Sequence, residues 1–171
     1  LKGQSAQAAP AAVASAAAGG MEGILCAPVS GRLMPVSEAA DEAFASRALG
    51  DGIAVDPENG DICAPCSGTV SMIFPTGHAV GLTTEKGTEI LIHVGIDTVK
   101  LNGEGFEILV KQGEEVKTGD LLIRADLDKI REAGYNPQTM MILPELENAS
   151  VEVFPKAAAK AGEKALAIYR K

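Results

Sequence analysis

Two stretches decide how this chain is read: Cys26-Ala27-Pro28-Val29-Ser30-Gly31-Arg32-Leu33 and Cys63-Ala64-Pro65-Cys66-Ser67-Gly68-Thr69-Val70. The second repeats Cys-Ala-Pro-x-Ser-Gly of the first. In each, Pro, Ser and Gly build a turn and an apolar strand follows. A motif used twice within one domain points to two copies of one supersecondary unit packed against each other. The surrounding sequence has the same grammar. Short β-rich runs alternate with Gly50-Asp51-Gly52, Asn59-Gly60-Asp61, Asn102-Gly103-Glu104-Gly105, Gly113-Glu114-Glu115 and Thr118-Gly119-Asp120. Such spacing predicts an all-β fold, an antiparallel sandwich or barrel, with one or two short helices. A helix is predicted over Leu127 to Ala133, opened by Asp126 and stopped by Gly134.

The ends read differently. Residues 1–20 are Ala-rich, interrupted by Pro10, Ser15 and Gly19-Gly20, with no repeating apolar face. They read as a linker that tethers the domain of residues 21–171 to another one upstream. Leu rather than Met at position 1 suits a piece of a longer protein. At the C-terminus, Ala and Lys content favours helix from Lys156 to Tyr169. Ala161-Gly162-Glu163 interrupts it as a turn, and Ala165-Leu166-Ala167-Ile168-Tyr169 could pair as a last strand, but sequence physics alone leans to helix.

Composition narrows the functions. The chain has 171 residues, 46% of them apolar, only 4% aromatic, and a net charge of −8. Aliphatic residues must fill its core. Nucleic acid is not the expected partner of an acidic surface, whereas a protein with a basic docking face is. No apolar run approaches the ~20 residues that span a bilayer, so direct membrane insertion is not expected. Three cysteines leave one unpaired in any intramolecular disulfide set, which favours the reducing cytoplasm.

Cys63-Ala64-Pro65-Cys66 has the C-x-x-C spacing of a redox pair or half a zinc site. It lies between β-runs rather than at the start of a helix, and the repeat already explains it, so the thiols read as small buried apolar groups. Gln112 to Ile123 resembles the hairpin of biotinyl and lipoyl carrier domains but lacks their lysine tip. It argues for a related shape without a swinging arm.

The two histidines carry the chemistry. His78 stands in Thr76-Gly77-His78 and His93 in Ile92-His93-Val94-Gly95-Ile96-Asp97-Thr98-Val99. They lie fifteen positions apart across Gly87, a spacing that suits neighbouring antiparallel strands with the two rings side by side. Three uses are open: a phosphoryl acceptor, a zinc site, or part of a hydrolase triad. No G-x-S-x-G elbow is present for a triad. Zinc needs about three protein ligands and no third His exists. Phosphoryl transfer asks least of the remaining residues.

These residues resemble the enzyme IIA domain, glucose class, of the bacterial phosphoenolpyruvate-dependent sugar phosphotransferase system. Ala27 to Gly31, Leu49 to Ala54, Thr76 to His78 and Ile92 to Val99, continued by Lys100 to Phe106, carry the resemblance, which covers Gly23 to about Lys171. It implies a β-sandwich of the duplicated hybrid motif type and a final strand at Ala165 to Tyr169. It implies a cytoplasmic, monomeric phosphotransferase with a phosphohistidine intermediate. His93 would take phosphate from the phosphocarrier HPr and pass it to a cysteine of enzyme IIB, itself linked to the membrane domain IIC. His78, held by Thr76, would be the donor to phosphoryl oxygens, and a carbonyl near Gly95 would hold the His93 tautomer. Docking is expected at Phe44, Phe74 and Val99, with Asp41 and Asp97 as acidic spots. No cofactor is required; zinc is expected only as an ion shared by His78, His93 and a partner carboxylate. Leu91 and Gly77 depart from the family pattern, which bears on partner preference. Two rival readings are a zinc peptidase of similar duplicated fold, lacking here its His-x-His pair, and a purely regulatory module. The sugar is not legible in this domain.

Overall fold

In a computed structural model, residues 21–146 and 149–170 are described; the expected linker, 1–20, lies outside them. In chain order the elements are β1 (Met21–Cys26), β2 (Gly31–Pro35), α1 (Glu42–Ala45), β3 (Asp51–Pro57), β4 (Asp61–Cys63), β5 (Gly68–Ile73), β6 (Ala79–Thr84) and β7 (Glu89–Val94). Then follow β8 (Phe106–Ile108), β9 (Glu115–Val116), β10 (Leu121–Ala125), α2 (Leu127–Glu132), β11 (Thr139–Leu143), β12 (Ala149–Val153), β13 (Lys156–Ala159) and β14 (Lys164–Arg170). The helix read after Asp126 is α2, whose first turn is capped by the Asp126 carboxylate on the Lys129 N–H at 3.1 Å.

The strands form one eight-stranded sheet, β13-β2-β3-β11-β7-β6-β5-β9, and two three-stranded sheets, β1-β14-β12 and β4-β10-β8. Every described pairing is antiparallel. The order shows the duplication directly: exchanging β1 with β4, β2 with β5, β3 with β6, β11 with β7, β13 with β9, β14 with β10 and β12 with β8 returns the same arrangement. The two Cys-Ala-Pro copies meet reciprocally. The Cys26 N–H donates to the Pro65 carbonyl (2.8 Å) and the Cys63 N–H to the Pro28 carbonyl (2.6 Å).

The structure also shows a second echo, between Lys117-Thr118-Gly119-Asp120 and Lys160-Ala161-Gly162-Glu163. In each turn the acidic side chain accepts from the N–H of its own lysine, at 2.9 Å and 2.8 Å. Each Gly N–H then donates to an echo alanine, Gly119 to Ala64 (2.9 Å) and Gly162 to Ala27 (3.0 Å). That second turn launches β14, where Leu166 and Ile168 enter the main core. Tertiary pairing with β1 and β12 thus overrides the helical propensity of Lys156 to Tyr169.

The main core, built mainly of Leu, Ile and Val, lies between the sheets. A smaller core sits on the other face of the large sheet: Met34, Val36, Phe44, Ala54, Met140 and Ile142, with Ala39, Leu91 and Ile96 against it. It exists because residues 36–46 fold back over the sheet, and it determines what surrounds the site.

Candidate functional site

Alternation along β7 separates its two faces. Ile90, Ile92 and Val94 are buried in the main core, while Leu91 and His93 point to the face of the smaller core. His93 pairs with Ala79 on β6 and with Met140 on β11, at the centre of the large sheet. In a regular strand His78, next to the registered Ala79, would point to the opposite face from His93. The strand begins only at Ala79. A turn precedes it, with Gly77 at φ +74° and its N–H donating to the Phe74 carbonyl at 2.7 Å. That irregular backbone leaves the His78 ring 5.1 Å from the His93 ring, edge to face.

Four rings stand in a row. Phe44 lies 5.2 Å from His93, and Phe74 lies 5.2 Å from His78. His93 is half-buried and His78 is 4% exposed. Each imidazole is held through Nδ1: His93 by the Gly95 carbonyl at 2.8 Å, and His78 by the Thr76 hydroxyl at 2.5 Å. A carbonyl only accepts, so the His93 Nδ1 carries the proton and its Nε2 keeps the lone pair. Burial lowers the His78 pKa from its ordinary 6.5, helped by the neighbouring His93. Burial also lowers that of His93, opposed by the Gly95 hydrogen bond and by the charges of Asp41 and Asp97. Both rings are therefore neutral at pH 7.

Gly95 explains why that carbonyl faces back. It sits at φ +84°, and a Cβ there would lie 2.4 Å from Thr98 Cγ2. Thr98 is fully buried and donates to the Val94 carbonyl, locking the loop behind the ring. The Gly95 and Ile96 N–H groups are held by the Gln138 and Asn136 carbonyls at 3.0 and 2.8 Å.

The expected docking residues divide. Val99 is 48% exposed and Asp97 is exposed beside the site; Phe74 is half-buried. Phe44 is a correction: it is 5% exposed, held in the smaller core, and backs the His93 ring instead of facing a partner. The reason is α1, which the sequence reading missed. Asp41 caps it by accepting from the Ala43 N–H at 3.1 Å, and one turn later Phe44 points inward. An Asp followed by helix-favouring Glu and Ala was the available signal. Gln138 and Thr98 were also missed, and no motif marks them.

The thiols are free and half-buried. Burial raises the pKa of Cys26 and Cys63 and pushes that of Cys66 up to about 11. They are therefore thiols rather than thiolate nucleophiles at neutral pH.

Residues 23–149 match the family model for the phosphoenolpyruvate-dependent sugar phosphotransferase system, EIIA 1. The chain belongs to this family. This EIIA domain is 42% identical over 153 residues to the PTS system glucose-specific EIICBA component of Staphylococcus carnosus, a match covering 90% of the chain and 22% of that protein. It thus spans about a fifth of the length of that relative. Among solved structures, glucose permease IIA from Mycoplasma capricolum superposes with a TM-score of 0.79 at 36% identity, covering 84% of the EIIA domain described here and 94% of the permease chain. The duplicated antiparallel β-fold is thereby the fold of an EIIA phosphotransferase component. Among its described residues no helix is long and apolar enough to cross a membrane.

Proposed function

We propose that His93 is the phosphoryl carrier of this domain. The observation that supports this best is the Nδ1–H of His93 bonded to the Gly95 carbonyl. It leaves Nε2 as a free nucleophile on a ring that burial keeps uncharged. The lone pair attacks the phosphorus of a phosphohistidine on HPr. The new N–P bond forms as the old one breaks in line, and the donor imidazole leaves with its electron pair. In the second transfer a cysteine thiolate of enzyme IIB attacks that phosphorus, and the pair returns to Nε2.

Such transfers need alignment and charge stabilisation more than covalent help. His78 supplies a donor. The Thr76 hydroxyl lies within hydrogen-bonding distance of Nδ1; in this reading it donates there, so that the neutral ring carries its proton on Nε2 and presents it to the phosphoryl oxygens. Asp97, Asp41 and Val99 form the rim, on which a partner with arginines beside an apolar patch would dock. In this reading the domain works in the cytoplasm, on a polypeptide carrying IIB and IIC, as the name of the Staphylococcus relative implies for that protein. Among the described residues no group of three metal-ligating side chains surrounds the two imidazoles, so a zinc ion there would require a partner carboxylate.

The test is labelling from radioactive phosphoenolpyruvate with enzyme I and HPr, then chase onto purified IIB. The wild-type domain labels and discharges; His93→Ala takes no label; His78→Ala folds but transfers more slowly by about two orders of magnitude. Labelling of His93→Ala would overturn the assignment. A wild-type domain that labels but never discharges would leave the regulatory reading standing.

A further inference from the structure

The segment that brings Asp41 and Phe44 to His93 is too short to hold itself. Its helix has four residues, well below what is stable alone. Val36, Ala39 and Phe44 pack it into the smaller core, and a side-chain hydrogen bond reaches its entry from across the sheet: that of Gln138, 4% exposed, just before β11. Its Oε1 accepts from the Ala40 N–H at 2.8 Å, immediately ahead of Asp41. Its Nε2 donates to Asp56 Oδ1 on β3 at 2.9 Å. The amide can stand only this way round, because a backbone N–H solely donates and a carboxylate solely accepts. The backbone carbonyl of the same residue receives the Gly95 N–H at 3.0 Å, behind the tautomer-setting loop. Gln138 thus joins three parts: the covering segment, the rigid central sheet, and the turn that holds the His93 ring.

We infer that Gln138 is the positioning residue of the phosphoryl site, clamping residues 36–46 onto the sheet so that Phe44 lies against His93 and the ring stays aligned. It touches neither phosphate nor ring; it acts through Ala40, Phe44 and Gly95. A buried amide with both ends bonded is a stiff link, because losing either partner strands a polar group out of water. In-line transfer is sensitive to misplacement of about 1 Å, which gives the clamp its value. This assignment rests on His93 being the carrier.

Three variants test it: Gln138→Met, which keeps the volume and removes both bonds; Gln138→Glu, which sets a carboxylate against Asp56; and Gln138→Glu combined with Asp56→Asn, which restores the link with donor and acceptor exchanged. In the wild type the Ala40 amide exchanges slowly with solvent. In Gln138→Met it exchanges at open-loop rates, the His93 ring-proton shifts move toward those of Phe44→Leu, and transfer from phospho-HPr slows about tenfold. Gln138→Glu alone is at least as impaired. The combined variant returns ring shifts and transfer to within about threefold of wild type, a recovery that lost packing alone does not produce. The inference is overturned if Gln138→Met keeps wild-type ring shifts and transfer even where its melting temperature falls. It is equally overturned if the folded combined variant recovers neither, or if the wild-type Ala40 amide exchanges as an open loop. Exchange and ring shifts require no phosphate, so a wild-type domain that takes no label would refute the carrier reading separately.

Discussion

Replacing Gly95 by Ala tests the geometry on which the site depends. The backbone there is at φ +84°, a region that costs an L-residue roughly 1–2 kcal/mol. The added Cβ would stand 2.4 Å from Thr98 Cγ2, 3.1 Å from its Oγ1 and 3.2 Å from the Asn136 carbonyl. Thr98 cannot swing away freely: it is fully buried and bonded to the Val94 carbonyl. Overpacking of this kind adds about 1–3 kcal/mol. The total, about 2–5 kcal/mol, lowers the melting temperature of a domain this size by about 10 °C. Gly134→Ala is the internal control, because it has φ +93° but nothing within 4 Å of the added atom. It pays only the conformational part, so the difference between the two variants reads the clash. Relief of the clash requires the loop to shift and the Gly95 carbonyl to leave Nδ1, so nitrogen chemical shifts of His93 should show the loss of the single tautomer. Transfer should fall about a hundredfold. Equal melting temperatures for the two variants, with the His93 tautomer unchanged in Gly95→Ala, would refute the reasoning.

Two further expectations concern the same rings. Because the folded pKa values of His78 and His93 lie below 6.5, the unfolded chain takes up protons first on acidification. The associated stability is intact above about pH 6.5 and is lost as pH falls from there through the folded values; urea midpoints against pH should show it, and a flat profile from pH 7 to 5 would contradict it. Phosphoryl acceptance should likewise retain its rate below pH 6.5, and Asp41→Asn with Asp97→Asn, by removing charges that favour the imidazolium, should move its acidic limb further down. Phe44→Ala should cost about 3–4 kcal/mol in urea unfolding, as for a buried ring in a core; a loss under about 1 kcal/mol would place Phe44 on the docking rim after all.

Much of the fold was legible because it is written in local chemistry. Cys26-Ala27-Pro28 and Cys63-Ala64-Pro65 announced the duplication, Asp126 and Gly134 bracketed α2, and two histidines among 171 residues marked the site. What failed to show were features with no local signature. Nothing in Asn136-Pro137-Gln138 indicates that the glutamine bridges Ala40 and Asp56, at sequence separations of 98 and 82. The strand at Lys164–Arg170 competes with a helix on propensity and wins only through its partners β1 and β12. Phe44 looked like a surface anchor because its burial depends on a segment folding back over the sheet.

Residue types and turn chemistry by themselves determined an antiparallel β architecture in two matched halves and a paired-histidine candidate site, since turn residues, period-2 alternation and an imidazole's lone pair act within a few residues. Tertiary structure alone decided which nitrogen of His93 is free, which face of the large sheet carries it, and what covers it. Register across β6, β7 and β11 and a loop locked behind Thr98 set those properties, and they arise only when distant segments are brought within hydrogen-bonding distance.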